Sequence, residues 1–191
     1  NPDETRRLRA LWALHVTGGL DDNLLLTQLS SKSEYLRAWA IQLACEDRHP
    51  GDTLLSKIHQ MAAADESAIV RRYLASAAGR LDAGKRKDLL VSLAARKEDA
   101  NDLNIPQLIW YAAESPVARD HAAAKELLCA SEIPMVSRNI GRRLSEDGDP
   151  AGVSTLVRAL AETFSPEKSA DIIEGMNPVS YTHLTLPTNR E

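Results

Sequence analysis

This chain of 191 residues is short of most of what marks a fold other than a helical one. It has one Phe, and aromatic residues make up 4% of it. With so few sheet-favouring aromatics beside abundant Ala and Leu, the composition favours helices. It has no apolar run of the length that a membrane-spanning helix needs. A basic excess is missing too. Lys and Arg number 23 against 27 Asp and Glu, a net charge of −4, which argues against a general nucleic-acid binder. The two cysteines, Cys45 and Cys129, both fall in helical apolar patterns and read as buried free thiols, without fixing a compartment. The chain opens on Asn1-Pro2 with no signal peptide. That start reads as a cut edge, so the missing leader says nothing about export.

Chemical motifs are equally scarce. The five histidines are His15, His49, His59, His121 and His183. No two stand at metal-ligand spacing, neither cysteine belongs to C-x-x-C, and the C-x-x-C-H haem attachment motif does not occur. Nor do G-x-S-x-G, P-loop or G-x-G-x-x-G patterns. The residues point to no catalytic, cofactor-binding or metal site in this chain.

What is present is a repeated helical pattern. In Ser33–Asp47, Leu36, Trp39, Ala40 and Leu43 share one helical face, while Ala38, Ile41 and Cys45 lie on another. A helix apolar on two sides is covered on two sides, as an inner helix of a stack is. Ser31-Lys32-Ser33-Glu34 matches a capping box at its start, and Pro50-Gly51 ends the segment. Asp52 is placed to cap a second helix with Leu54, Leu55, Ile58, Met61 and Ala62 on one stripe.

Variants of this hairpin recur. Leu8–Val16, in a helix over Glu4–Val16 stopped by Gly18-Gly19, echoes Leu36–Ala44. Asp21–Ser30, Glu66–Leu81 and Lys85–Arg96 are expected as helices, and Lys97–Asn104 as a polar connection. Gln107–Ala113 is expected to be broken at Ser115-Pro116. His121–Ala130 follows, then a helix opened by Pro134 with Val136, Ile140 and Leu144 inward. Asp149-Pro150 starts a further helix, in which Val153, Leu156, Val157, Leu160, Ala161 and Phe164 form one stripe. Ser165-Pro166 begins a last helix. Leu8, Leu36, Val70, Ile105 and Val136 occupy similar places, spaced roughly 28 to 35 residues apart, within the helical-repeat range. One hairpin cannot bury its own apolar face, but about five stacked hairpins can. The expected fold is all-α: a right-handed α-solenoid of HEAT-like hairpins with about ten helices over residues 1–177. A compact non-repeat bundle is the alternative.

Within that fold some residues stand out. Arg37, Arg71 and Arg138 recur near the same point of their repeats. Such a ladder pairs with carboxylates of neighbouring units or lines the concave face. Trp12, Trp39 and Trp110 sit in apolar stripes, so core packing is expected. Trp110-Tyr111 differs: two adjacent aromatics cannot both point inward, so one is a candidate contact residue. The candidate partner-binding residues are therefore Trp110, Tyr111, Arg37 and Arg71. Glu46-Asp47 and Glu98-Asp99 read as solvated turn carboxylates, and Lys85-Arg86-Lys87 as a solvated basic face.

Leu8–Leu20, Leu36–Arg48 and Asn104–Glu114 together resemble the HEAT-repeat region of PVC-type haem-binding membrane-bound dehydrogenases. The resemblance covers about Leu8–Leu144. It implies a large exported or periplasmic parent with a sugar-dehydrogenase-like β-propeller before the repeats and a cytochrome c domain, carrying haem c, after them. In that setting the repeats are a non-catalytic scaffold whose partners are neighbouring domains of the same chain. A stand-alone HEAT-type interaction module binding another protein surface is the second reading. Val179–Thr188, VSYTHLTLPT, has no apolar period and resembles the translation of a transposase-type sequencing adapter. Residues 178–191 are therefore expected to be a non-native, disordered tail, and the chain an open fragment of a longer protein.

Overall fold

A computed structural model describes residues 3–146 and 149–177. The expected tail lies outside these residues. The helices are α1 (Glu4–Val16), α2 (Asp22–Leu29), α3 (Glu34–Ala44), α4 (Asp52–Ala64), α5 (Ala68–Ala78), α6 (Ala83–Ala94), α7 (Ile105–Arg119), α8 (His121–Ala130), α9 (Pro134–Glu146), α10 (Pro150–Glu162) and α11 (Pro166–Met176). One 3-10 turn, Lys97–Asp99, joins α6 to α7. Every regular element among the described residues is helical.

The helices form two layers. The odd-numbered ones pack in succession, α1 on α3 through to α9 on α11, and so do the even-numbered ones from α2 to α10. This alternation is the packing of a solenoid-like stack rather than of a compact bundle. Its seam in the odd layer is a register of buried residues four apart: Leu36, Ala40 and Ala44 in α3; Val70, Leu74 and Ala78 in α5; Ile105, Ile109 and Ala113 in α7; Val136, Ile140 and Leu144 in α9. The even layer closes it from behind with Leu54, Ile58, Leu89, Leu93 and Leu128. At the far end the helices approach more closely. A Cβ added to Gly175 would lie 2.1 Å from the Arg138 carbonyl oxygen, and one on Gly141 would lie 2.7 Å from that of Ile172. Side chains at those two positions would wedge α9 and α11 apart.

Several starts and stops match the sequence expectation. Gly18, at φ 73°, ends α1, Asp149 caps α10 through Ala151 N–H, and Ser165 caps α11. Others differ. The capping box does not form: Ser33, not Ser31, caps α3, accepting from Leu36 N–H. Ser31 instead accepts from Ser33 N–H in a local turn. Glu34, now the first helical residue, accepts the hydroxyl of Ser67, the cap of α5. Ser33 makes the same contact back to Glu4. Each cap thus joins its hairpin to the preceding one. Asp52 is also displaced, since Gly51 takes the cap position of α4 without a side-chain bond.

The largest departure is Pro116. It does not break α7, which continues to Arg119. A proline inside a helix leaves the carbonyl four residues back without its donor. That carbonyl belongs to Ala112, and Arg86 of α6 donates to it at 3.0 Å while its Nε donates to the Leu81 carbonyl at 2.8 Å. Arg86 therefore turns inward, away from the solvated basic face expected for it.

Two outcomes follow from these contacts. Arg86→Met should destabilise the chain by about 1–3 kcal/mol, the range for orphaning a buried acceptor. In a Pro116→Ala background the substituted residue regains a backbone N–H that can bond the Ala112 carbonyl, and the loss should be clearly smaller. Urea denaturation of the four proteins in this cycle reads the coupling, and equal losses in both backgrounds would contradict it.

Candidate docking faces and the ion-pair ladder

Arg37 and Arg71 are placed by equivalent turns of α3 and α5, one residue after Leu36 and Val70. Arg37 grips Asp65 with Nε at 2.7 Å and Nη2 at 2.9 Å. Arg71 grips Asp99 the same way, both bonds at 2.6 Å. Each arginine also donates Nη1 to the carbonyl six residues before it, Ser31 and Asp65 respectively. Asp65 therefore holds Arg37 with its carboxylate and Arg71 with its carbonyl. One polar thread runs from α3 through the α4–α5 turn and α5 to the 3-10 turn. Pairing with a neighbouring carboxylate raises the pKa of both guanidinium groups.

Burial separates the two pairs. Arg71 is 4% exposed and Asp99 2%, so the Asp99 side chain is not the solvated turn carboxylate expected from Glu98-Asp99. Arg37 keeps 18% exposure. The ladder stops at α7, where Pro106 holds the register position of Arg71. Arg138 lies one position further along in register than Arg37 and Arg71. It reaches across to Asp171 and Glu174 of α11 at 3.1 and 2.9 Å.

The aromatic residues form a surface row. Trp12, Trp39 and Tyr73 come from successive odd helices, with ring centroids 4.8 Å and then 6.1 Å apart, the first pair edge-on. Trp12 is 37% exposed, and Trp39 and Tyr73 are half-buried. The expected core packing of Trp12 and Trp39 is thus only partial. Trp110 packs against the core from a half-buried position, and the adjacent Tyr111 is 66% exposed. The residues proposed from sequence do not converge. Arg71 is interior, Arg37 lines a shallow open groove with Tyr35 and Lys32, and Tyr111 lies two odd helices beyond Arg37.

The apolar stripe of α10 faces inward only in part. Leu156 and Ala159 are buried, but Val153 is 38% exposed and Val157 57%, and Phe164, expected in the stripe, falls beyond the helix, which ends at Glu162, and is 96% exposed. Ile173 of α11 is 55% exposed. The stripe read as one face is two, and only one is covered.

Between α6, the C-terminal turn of α7 and α8 runs a groove of about 400 Å³. Leu90, Val91, Val117 and Leu127 line it, with Arg86, Lys87 and Arg119 among the polar residues. Lys87 pairs with Glu126 at 2.6 Å, and Asp120 accepts the N–H groups of Ala122 and Ala123 at the start of α8. Desolvation lowers the Arg86 pKa, and nearby Asp82 only partly offsets it.

Both cysteines are free. Cys45, at the end of α3, is fully buried, and burial pushes its thiol up to about 11. Cys129 is half-buried and is also raised by burial.

Three outcomes test this arrangement. Asp99→Ala strands a buried guanidinium and should destabilise by about 3–5 kcal/mol, whereas replacing Arg71 and Asp99 together by Met and Leu should lose far less; chemical denaturation distinguishes them. Tyr111→Ser should stay within about 0.5 kcal/mol of the parent, while Trp39→Ala, which opens the aromatic row, should lose about 2 kcal/mol or more. At pH 8 iodoacetamide should modify Cys129 first and reach Cys45 only after denaturant is added. Because the Cys45 thiol is raised in the fold, its contribution to stability is full below about pH 9 and is lost as pH rises through about 11. No family model matches this chain, and no curated protein or solved structure matches it.

Proposed function

We propose that the chain is a non-catalytic HEAT-repeat scaffold within a larger exported haem-containing dehydrogenase, where it positions the redox domains on either side of it. The uncovered flank of α10, with Val153 and Val157 and with Phe164 just past the helix end, carries this reading. Inside the stack each even helix is covered on both flanks by its neighbours, so an apolar flank at the end of the row is suited to a further unit or domain of the same polypeptide. A stiff stack held by bidentate ion pairs between hairpins fixes the distance and direction between whatever docks at its ends. The resemblance to the dehydrogenase repeats supplies the identity of those domains, with haem c and substrate chemistry residing outside these residues.

The aromatic row of Trp12, Trp39 and Tyr73 favours a second reading, a stand-alone module that binds another protein through its odd-helix face. Long-read sequencing of the parent locus across both ends separates the two. The scaffold reading expects a propeller-coding segment upstream and C-x-x-C-H downstream. A short frame with a start codon just upstream, and with Val179–Thr188 encoded in place, would overturn it in favour of the module.

A further inference from the structure

The groove between α6, α7 and α8 is not used by either reading of the function. Its volume, about 400 Å³, falls in the range of small-molecule clefts, and its walls combine apolar side chains with two arginines that form no ion pair with the described residues. Arg86 directs its two bonds to carbonyl oxygens, Leu81 and Ala112, and pairs with no carboxylate. A guanidinium has five N–H donors, so Arg86 retains capacity at the groove. Arg119, the last residue of α7, lines the same groove, and its side chain makes no hydrogen bond or ion pair with the described residues. Of the two carboxylates on the lining, Asp120 is held by the backbone of α8. Asp82 stands on the exposed edge and makes no capping bond. The balance is cationic with apolar walls.

We propose that this groove binds a small monocarboxylate with an apolar tail, the carboxylate on Arg86 and Arg119 and the tail against Leu90, Val91, Val117 and Leu127. A carboxylate matches the guanidinium fork. A single charge suits a site that Asp82 already partly neutralises, and the apolar walls reward a tail rather than a hydrated inorganic ion.

Isothermal titration of the whole chain with octanoate tests this, with octylammonium and inorganic phosphate as controls. Octanoate should bind saturably at one site, and neither control should. Arg119→Gln should weaken octanoate about tenfold, the effect of losing one charge-assisted bond. Val91→Trp, which fills the groove, should abolish binding. Both variants should melt within a few degrees of the parent, because neither touches the Arg86–Ala112 contact. No saturable octanoate binding, equal binding of octylammonium or phosphate, or octanoate binding unaltered by Val91→Trp would each overturn the proposal.

Discussion

Each hairpin of this chain has apolar residues on two opposite flanks, so none is stable except between neighbours. That constraint organises everything else. It sets the four-residue register of Leu36, Val70, Ile105 and Val136 with their partners one and two turns on. It makes the odd and even helices segregate into two layers. It also explains why polar groups at the starts of the odd helices reach outward along the stack. Ser33 meets Glu4, Ser67 meets Glu34, Arg37 meets Asp65 and Arg71 meets Asp99. Hydrophobic burial supplies the drive to stack, and it is non-directional. The bidentate pairs add the register that burial alone leaves loose. A slip of one residue would strand Arg71 and Asp99 without partners in a dry interior.

The same constraint gives the ends their character. At α10 the second flank is present but uncovered, leaving Val153 and Val157 partly in water. Along the odd layer the rings of Trp12, Trp39 and Tyr73 lie beside the buried seam and remain partly exposed. Both surfaces are consequences of stacking geometry, and both are suited to contact with other protein. The groove at α6–α8 has a different origin. Pro116 interrupts the bonding of α7, Arg86 is drawn in to repair it, and the turn of chain that follows leaves space beside the cation.

The helical class, the number of helices and the register were legible in the sequence because periodicity reports burial directly. The repeat positions Leu36, Val70, Ile105 and Val136 are the first buried residues of their seams. What periodicity does not report is which polar residue meets which. Asp99 looked solvated beside Glu98, yet it is buried because Arg71 comes to it. The signal was the equal offset: Asp65 and Asp99 each follow their arginine by 28 residues. Arg138 looked equivalent to Arg37 but sits one position on, and only the buried register reveals it. Pro116 looked like a helix breaker because the rule considers the helix alone, whereas a side chain from α6 restores the lost bond. The one stripe on α10 was in fact two, since a pattern of apolar residues does not say how much of it a neighbour covers.

The most direct test of stacking as the source of stability is hydrogen exchange, resolved along the chain, on Leu74→Ala in the middle of the odd-layer seam. Leu74 is fully buried, and its truncation should remove about 2–5 kcal/mol. If hairpins are stable only through their neighbours, protection should fall in α5 and also in α3 and α7, and fall less in α11, with the loss graded by distance along the stack. Loss confined to α5, or an equal loss in every helix, would contradict the account.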